Sequence, residues 1–121
     1  MTARSLSAVA VCLLVSSAGL ALAQPATTGA ALFENRCVMC HSGDPFSQGP
    51  PLADVVGRRA GAVAGFAYSP AMKRSGLTWT RGALDQFLAD PGKTIPGTAM
   101  PIRVVDPAQR SAIISYLASR R

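Results

Sequence analysis

The sequence predicts a small all-α domain in which short helices are separated by long loops. No stretch of useful length shows the alternation of apolar and polar residues that is typical of a strand. Several short apolar runs instead follow a residue that commonly caps a helix, and glycine and proline are concentrated between them. Loops of this length are uncommon in a compact domain, so something other than secondary structure is expected to fill its centre.

The first half of the chain predicts one helix, a long loop and one helical turn. Residues 28–40 have helical composition, with Leu32 and Phe33 as the apolar pair. Residues 42–65 are rich in glycine and proline and predict a loop. A single helical turn is expected from Pro70 to Ser75, because proline is favoured at the first position of a helix.

The second half predicts two helices with an irregular segment between them. Thr80 is a suitable N-cap for a helix over residues 81–89, which Pro91 and Gly92 would end. Two internal prolines and a glycine exclude regular structure over residues 93–101. Asp106 predicts the cap of a last helix that begins with Pro107.

Cys37, Cys40 and His41 form the motif Cys-x-x-Cys-His, which is the attachment site of a c-type haem. Two thiols three positions apart on a helical turn can reach the two vinyl groups of one porphyrin, and the next side chain can reach its iron. The motif therefore predicts one covalently bound haem c, and such an apolar macrocycle would fill the centre of a small domain.

Other uses of these cysteines can be weighed by their ligand count and context. A structural zinc site needs four ligands, whereas the chain has three cysteines and one histidine, and Cys12 lies in a segment expected to be removed. A thioredoxin-like pair would follow a strand, but helical composition precedes Cys37. From the motif alone, a plain disulfide between Cys37 and Cys40 remains open.

A haem iron also needs an axial ligand opposite His41, and methionine is the available type because no second histidine exists. Met39 is tethered between the two attached cysteines, on the wrong side of the ring. Met72 remains open from spacing alone, although it also suits a core position. Met100 lies in a proline-stiffened loop that can hold a thioether at a fixed point, so it is a candidate as well.

The N-terminal residues 1–23 predict a secretory signal peptide, with Arg4 before an apolar stretch and a small-residue cleavage site that ends at Ala23. Residues 24–121 would form the single domain, with no stable membrane insertion after cleavage. The expected location is an oxidising compartment outside the cytoplasm, a bacterial periplasm. Removal of Arg4 with the signal would take the formal net charge from +6 to +5. This charge suits acidic protein faces or an anionic membrane surface, and scattered basic residues argue against nucleic acid as a partner.

With these motifs in place, the chain resembles the class I cytochromes c, and specifically the branch of mitochondrial cytochrome c and bacterial cytochrome c2. The resemblance extends from Gly29 to Leu117. Residues 49–52, Gly-Pro-Pro-Leu, resemble the Gly-Pro-x-Leu loop of the family, and residues 95–100, Ile-Pro-Gly-Thr-Ala-Met, resemble its sixth-ligand loop. The fold it implies is helices and long loops wrapped around one covalently attached haem.

The resemblance also implies roles for individual residues. The carbonyl of Pro50 would accept a hydrogen bond from the His41 nitrogen that does not bind iron, and Met100 would be the second axial ligand. The first and last helices would cross where Gly29 and Phe33 meet Ile113 and Tyr116. The haem propionates would be held or compensated by Arg58, Tyr68, Trp79 and Thr98.

Two departures from the family pattern concern the haem pocket. Phe87 and Met72 stand where this branch usually has a tyrosine and an asparagine, so a drier pocket beside Met100 is expected. Arg36 and Lys93 remain as basic residues at the exposed haem edge, whereas other positions that are often basic are not. Docking is therefore expected to be electrostatic, but less strongly so than in mitochondrial members.

The function that the resemblance implies is that of a soluble, monomeric one-electron carrier with no catalytic residues. It would shuttle electrons between respiratory or photosynthetic complexes, from a cytochrome bc1-type donor to an oxidase or reaction-centre acceptor. If Met100 detached easily, the chain could instead be a haem enzyme or bind peroxide or a gas. A haem subunit held tightly by a dehydrogenase or oxidase is a further alternative.

Overall fold

A computed structural model describes residues 28–121, and short helices joined by long loops make up this part of the chain. The helices are α1 (Gly29–Arg36), α2 (Pro70–Arg74), α3 (Arg81–Ala89), α4 (Pro91–Thr94) and α5 (Pro107–Ser119). Over the described range, β-structure is limited to one isolated antiparallel bridge between Arg59 and Thr78. The all-α prediction is confirmed, whereas the predicted signal peptide and Cys12 lie outside the described residues.

The helices begin where capping residues precede them in the sequence. The Ser69 hydroxyl accepts a hydrogen bond from the Met72 amide at 3.1 Å, and the Thr80 hydroxyl accepts one from the Ala83 amide at 3.1 Å. Each bond satisfies an amide that the first turn of a helix leaves without a partner. The Asp106 carboxylate does the same for α5. The predicted starts of these three helices are confirmed.

Two predicted boundaries were wrong. The first helix ends at Arg36 rather than at residue 40, because the amides of both Cys37 and Val38 bond to the carbonyl of Phe33 and the regular ladder stops there. Residues 93 and 94, predicted to be irregular, complete the one-turn helix α4. That turn forms because Pro91 occupies its first position and the Asp90 carboxylate caps it.

Packing of α1 across α5 is the main contact between the two ends of the chain. Gly29 lies against the backbone of Ala112, and the rings of Phe33 and Tyr116 are 5.3 Å apart. The predicted helix crossing is therefore present. Helix α3 also packs against α5 and α4. The buried apolar residues are Leu32, Phe33, Val55, Trp79, Leu84, Phe87, Leu88, Ile95, Val104, Ile113, Ile114 and Leu117.

Among residues 28–121, no helix has the length and apolar character needed to cross a membrane.

Candidate functional site

The main cleft of the domain lies beside the α3 part of the core and is lined mostly by apolar atoms. Its empty space is about 1320 Å³ when the solvent-filled space at its mouth is included. Every site residue predicted from the sequence lines it, although these residues come from segments spread along the whole domain. They are Cys37, Cys40, His41, Pro50, Arg58, Tyr68, Trp79, Thr98 and Met100.

The imidazole of His41 is fixed from two sides. Its Nδ1 lies 2.7 Å from the carbonyl oxygen of Pro50, so Nδ1 carries the proton and donates it, while Nε2 keeps its lone pair. Gly49 is buried against the ring, where an added Cβ would lie 2.8 Å from Nε2. Burial lowers the pKa of His41, and the bond to Pro50 opposes this shift in part. The ring is therefore held in the neutral form that binds a metal.

The two cysteines lie on one helical turn that follows α1. The amide of His41 bonds to the carbonyl of Cys37 at 2.8 Å, which closes this turn. Both thiols are free and half-buried at the cleft. Burial raises the pKa of the Cys37 thiol; the neighbouring Arg36 charge opposes the shift and Cys40 adds to it. The turn thus presents two separate sulfur atoms to one cavity, as the motif predicts.

Polar groups on the cleft wall retain hydrogen atoms that they can still donate. The Tyr68 hydroxyl accepts a bond from the Val63 amide at 3.1 Å, and the Thr98 hydroxyl accepts one from the Met100 amide at 3.3 Å. Because each oxygen acts as an acceptor, each hydroxyl proton is available to an anionic ligand. The Arg58 guanidinium uses only part of its donor set, in bonds to two backbone carbonyls at 2.9 Å each.

The methionines that could bind iron differ in their positions. Met39 is 89% exposed and is not among the residues that line the cleft. Met72, on α2, and Met100, in the loop after α4, both line it and are half-buried. The structure therefore leaves these two as candidates and agrees with the exclusion of Met39.

Aromatic and aliphatic side chains enclose the inner part of the cleft. Phe87 is buried on α3, and its ring centre lies 5.0 Å from that of Trp79. Leu84 and Leu88 lie on the same helix and also line the cavity. A flat, apolar group would be desolvated there, while its polar edge could reach the donors described above.

Two features of the site were not anticipated. The steric role of Gly49 against His41 is implicit in the Gly-Pro-x-Leu loop, because only glycine lets the backbone approach the ring so closely. An ion pair between Asp90 and Arg103, 3.2 Å apart, joins the two ends of the loop that carries Met100. The position of Asp90 directly before Pro91 is a sequence signal for a helix N-cap, but no local pattern indicates that Asp90 pairs with Arg103.

The sequence motif leaves two uses open for Cys37 and Cys40, haem attachment and a plain disulfide, and comparison with known proteins decides between them. A family model described as cytochrome c matches residues 26–121. The chain belongs to the cytochrome c family. It is 40% identical over 108 residues to cytochrome c2 of Blastochloris viridis, covering 86% of this chain and 84% of the relative. It is 36% identical to cytochrome c2 of Rhodomicrobium vannielii, with 99% of this chain and 98% of the relative covered.

A solved structure agrees with this assignment. Cytochrome cH from Methylobacterium extorquens superposes with a TM-score of 0.72 at 41% identity, covering 80% of this chain and 100% of that structure. The chain is accordingly a class I cytochrome c of the branch that contains cytochromes c2 and mitochondrial cytochromes c. It carries one haem c, attached through Cys37 and Cys40. Members of this family are one-electron carriers.

The residues of this chain fit the haem. The cleft supplies two free thiols on one turn, a neutral imidazole with an available Nε2, and an apolar interior. The close approach of Gly49 to His41 leaves the ring no room to turn away from the cavity on that side.

Proposed function

We propose that this cytochrome is an electron shuttle whose haem iron is bound by Nε2 of His41 and the sulfur of Met100. The observation that carries the proposal is the convergence of all the sequence-predicted site residues on one cleft. When bound, the haem supplies a ferrous/ferric couple that exchanges one electron. The protein's part is to keep the same ligands in place in both states, so that little has to move during transfer.

His41 is suited to this role because protein groups on two sides fix its orientation. The bond from Nδ1 to Pro50 selects the tautomer whose Nε2 can coordinate iron, and it also strengthens the ring as a ligand. Gly49 keeps the imidazole in place through contact with its face. A fixed donor lowers the reorganisation that accompanies each electron transfer.

Met100 is favoured over Met72 by the way its loop is built. Its amide donates to Thr98, and the Thr98 amide donates to Ile95 at 3.0 Å, so the backbone before the sulfur is tied down. Prolines 96 and 101 restrict the same loop further. Met72 lies on the short helix α2, and both methionines pack against the core, so it is the bonding of the Met100 loop that separates them.

The propionates are proposed to contact Arg58, Tyr68, Trp79 and Thr98. The free hydroxyl protons of Tyr68 and Thr98 and the remaining donors of Arg58 support this assignment. With both axial positions filled, the iron would have no open position for a substrate. We therefore propose no enzymatic activity, and a labile Met100 would be needed for any peroxide or gas chemistry.

The test of this ligand set is a pair of matched alanine variants. The ferric holoprotein should show the weak thioether-to-iron absorption band at the red end of its spectrum. Met100→Ala should abolish that band, whereas Met72→Ala should keep it. Loss of the band in Met72→Ala, or its survival in Met100→Ala, would overturn the assignment.

Partner proteins are proposed to dock where the cysteine turn meets solvent. Met39 is 89% exposed beside the two attachment cysteines, and Ile102, which lines the cleft, is 44% exposed. Arg36 adds a positive charge at the same cleft, whereas Lys93 does not line it and the charge of Arg103 is paired with Asp90. An apolar surface with few free charges supports short-range docking with weak electrostatic steering.

The proposed partners are a cytochrome bc1-type donor and an oxidase or reaction-centre acceptor in the periplasm, with the chain as a free monomer. Residues 1–23 would be cleaved as the signal peptide, leaving residues 24–121 as the haem domain.

Second-order rate constants with a bc1-type complex should fall less than tenfold between 0.01 M and 0.15 M salt. A much steeper fall would show that charge, rather than the apolar surface, governs docking. Gel filtration of the native complex would separate a free carrier from a bound subunit.

A further inference from the structure

We propose that Asp90 and Arg103 form a clasp that keeps the loop between them closed and so holds Met100 in position. The clasp is the ion pair of these two residues, and the Met100 loop is the segment from Pro91 to Ile102. Both are positioning residues, since they act through Met100 and do not line the cleft. The inference rests on the proposed function, in which Met100 binds iron.

Asp90 fixes the start of the Met100 loop. One carboxylate oxygen, Oδ1, accepts a hydrogen bond from the Lys93 amide at 3.1 Å and caps α4. The main-chain carbonyl of Asp90 accepts further bonds from the Thr94 amide at 3.0 Å and from the Thr94 hydroxyl at 2.9 Å. The Thr94 hydroxyl also donates to the carbonyl of Gln86 on α3 at 3.0 Å, so the first turn of the loop is attached to the end of α3 mainly, but not solely, through Asp90.

Arg103 fixes the end of the same loop at the same place. Its Nη2 lies 3.2 Å from Asp90 Oδ2, and its Nε donates to the carbonyl of Ala89 at 3.3 Å. The next residue, Val104, bonds through its amide to the carbonyl of Leu88 at 2.8 Å. Because Oδ1 holds the outgoing chain and Oδ2 holds the returning chain, one carboxylate joins both ends of the loop.

The chain beyond the clasp has an independent attachment. Arg110 on α5 lies 2.7 Å from Asp85 on α3, and it donates to the carbonyls of Val104 at 3.0 Å and Val105 at 2.8 Å. Residues 104 and 105 therefore stay attached to the core when the clasp is broken. Loss of the clasp is expected to loosen the Met100 loop without unfolding α3 or α5.

The clasp is exposed to solvent, so its effect is modest. The side chains of Arg103 and Asp90 are 58% and 38% exposed, and pairs of this kind shift an equilibrium by roughly 1.5- to 5-fold. A shift of this size would matter little for folding, which involves the whole domain. It would be visible in the opening of a single loop, where an outside ligand competes with Met100 for iron.

The experiment is a titration of the ferric holoprotein with imidazole at pH 7, followed by loss of the thioether band. The apparent dissociation constant for imidazole is inversely proportional to the fraction of molecules in which the loop is open. Arg103→Gln should tighten imidazole binding about two- to fivefold. Arg103→Lys keeps the positive charge, so its imidazole affinity should lie between those of Arg103→Gln and the wild-type protein. Asp90→Asn keeps an oxygen to cap α4 but removes the ionic partner, and it should act in the same direction.

Matched controls remove the same charges elsewhere. Arg81→Gln and Glu34→Gln change exposed residues that have no ion pair within the described residues, and they should leave imidazole binding unchanged. Thermal unfolding of the reduced holoprotein should differ by no more than about 8 °C between the clasp variants and their controls, because a two- to fivefold effect corresponds to about 0.4–1 kcal/mol. Hydrogen exchange of the Thr98 and Met100 amides should be faster only in the clasp variants.

Equal imidazole affinity in Arg103→Gln and Arg81→Gln would overturn the clasp, because the ion pair would then contribute nothing to keeping the loop closed. A loss of thermal stability in Arg103→Gln with no change in imidazole affinity would overturn it as well. Failure of the proposed function is distinguishable: the thioether band would then be missing from the wild-type protein, or present in Met100→Ala, before any imidazole is added.

Discussion

Replacing Gly29 with alanine should loosen the crossing of α1 and α5. A Cβ at this position would overlap the carbonyl oxygen of Ala112 and would lie 2.7 Å from its carbonyl carbon and 2.8 Å from the Cβ of Tyr116. Non-bonded carbon atoms prefer about 3.5–4.0 Å, so the helices would have to separate by at least roughly 0.8–1.3 Å. Two of these contacts are backbone atoms, which cannot rotate aside.

The expected cost follows from this overlap. Overpacking of a tight contact typically costs about 1–3 kcal/mol, and the ring pair formed by Phe33 and Tyr116 across the same crossing would be disturbed too. A loss of about 2 kcal/mol in the free energy of unfolding would lower the Tm of a domain this size by about 8–16 °C. The helix propensity of alanine offsets part of this cost, by up to about 1 kcal/mol.

The assay is thermal and denaturant unfolding of the reduced holoprotein, with Gly82→Ala as the matched control. Gly82 is also in the first turn of a helix, but the nearest atom to an added Cβ is the Thr80 hydroxyl oxygen at 4.0 Å. Gly82→Ala should therefore leave stability unchanged or raise it by up to about 1 kcal/mol. If Gly29→Ala proved as stable as Gly82→Ala, the steric account of the crossing would be refuted.

Three further predictions concern the haem pocket and the loop beside it. Gly49→Ala should destabilise the holoprotein by about 1–3 kcal/mol because the new methyl group overlaps the His41 imidazole; an unchanged unfolding midpoint would contradict this. Phe87→Tyr should place a hydroxyl in the drier pocket and lower the pH at which ferric Met100 is displaced by about 0.5–1 unit, as read from the thioether band; an unchanged midpoint would argue against a dry pocket. The Asp44 carboxyl should titrate below its usual pKa of 3.8 because the Ser42 hydroxyl bonds to its charged form, and Ser42→Ala should raise that pKa in an NMR titration.

Helix starts could be predicted from the sequence because their signals are local. Thr80 and Asp106 each precede a short run of helix-forming residues, and in the structure each caps the helix predicted from it. The end of α1 was harder to predict. No glycine or proline stands among the six residues directly after Arg36, and the helix stops because two successive amides share the carbonyl of Phe33. Nothing in the local composition indicates that change of bonding.

The candidate site was predictable for a similar reason. The Cys-x-x-Cys-His motif and the Gly-Pro-x-Leu loop are short segments whose chemistry can be read directly, and the structure brings both to one cleft. The Asp90–Arg103 pair could not be read in this way. Its partners are separated by the whole Met100 loop, and they meet only because Val104 returns to pair with Leu88 at the end of α3. Pairings of this kind depend on tertiary structure, for which a single sequence gives no periodic signal.

The central claim is that His41 and Met100 together bind the haem iron, and methionine methyl NMR of the reduced holoprotein tests it most directly. With methyl-labelled methionine, one resonance should lie far upfield because its methyl group is held over the haem ring. We expect that resonance to disappear in Met100→Ala and to persist in Met72→Ala. An upfield resonance that belongs to Met72, or none at all, would contradict the account.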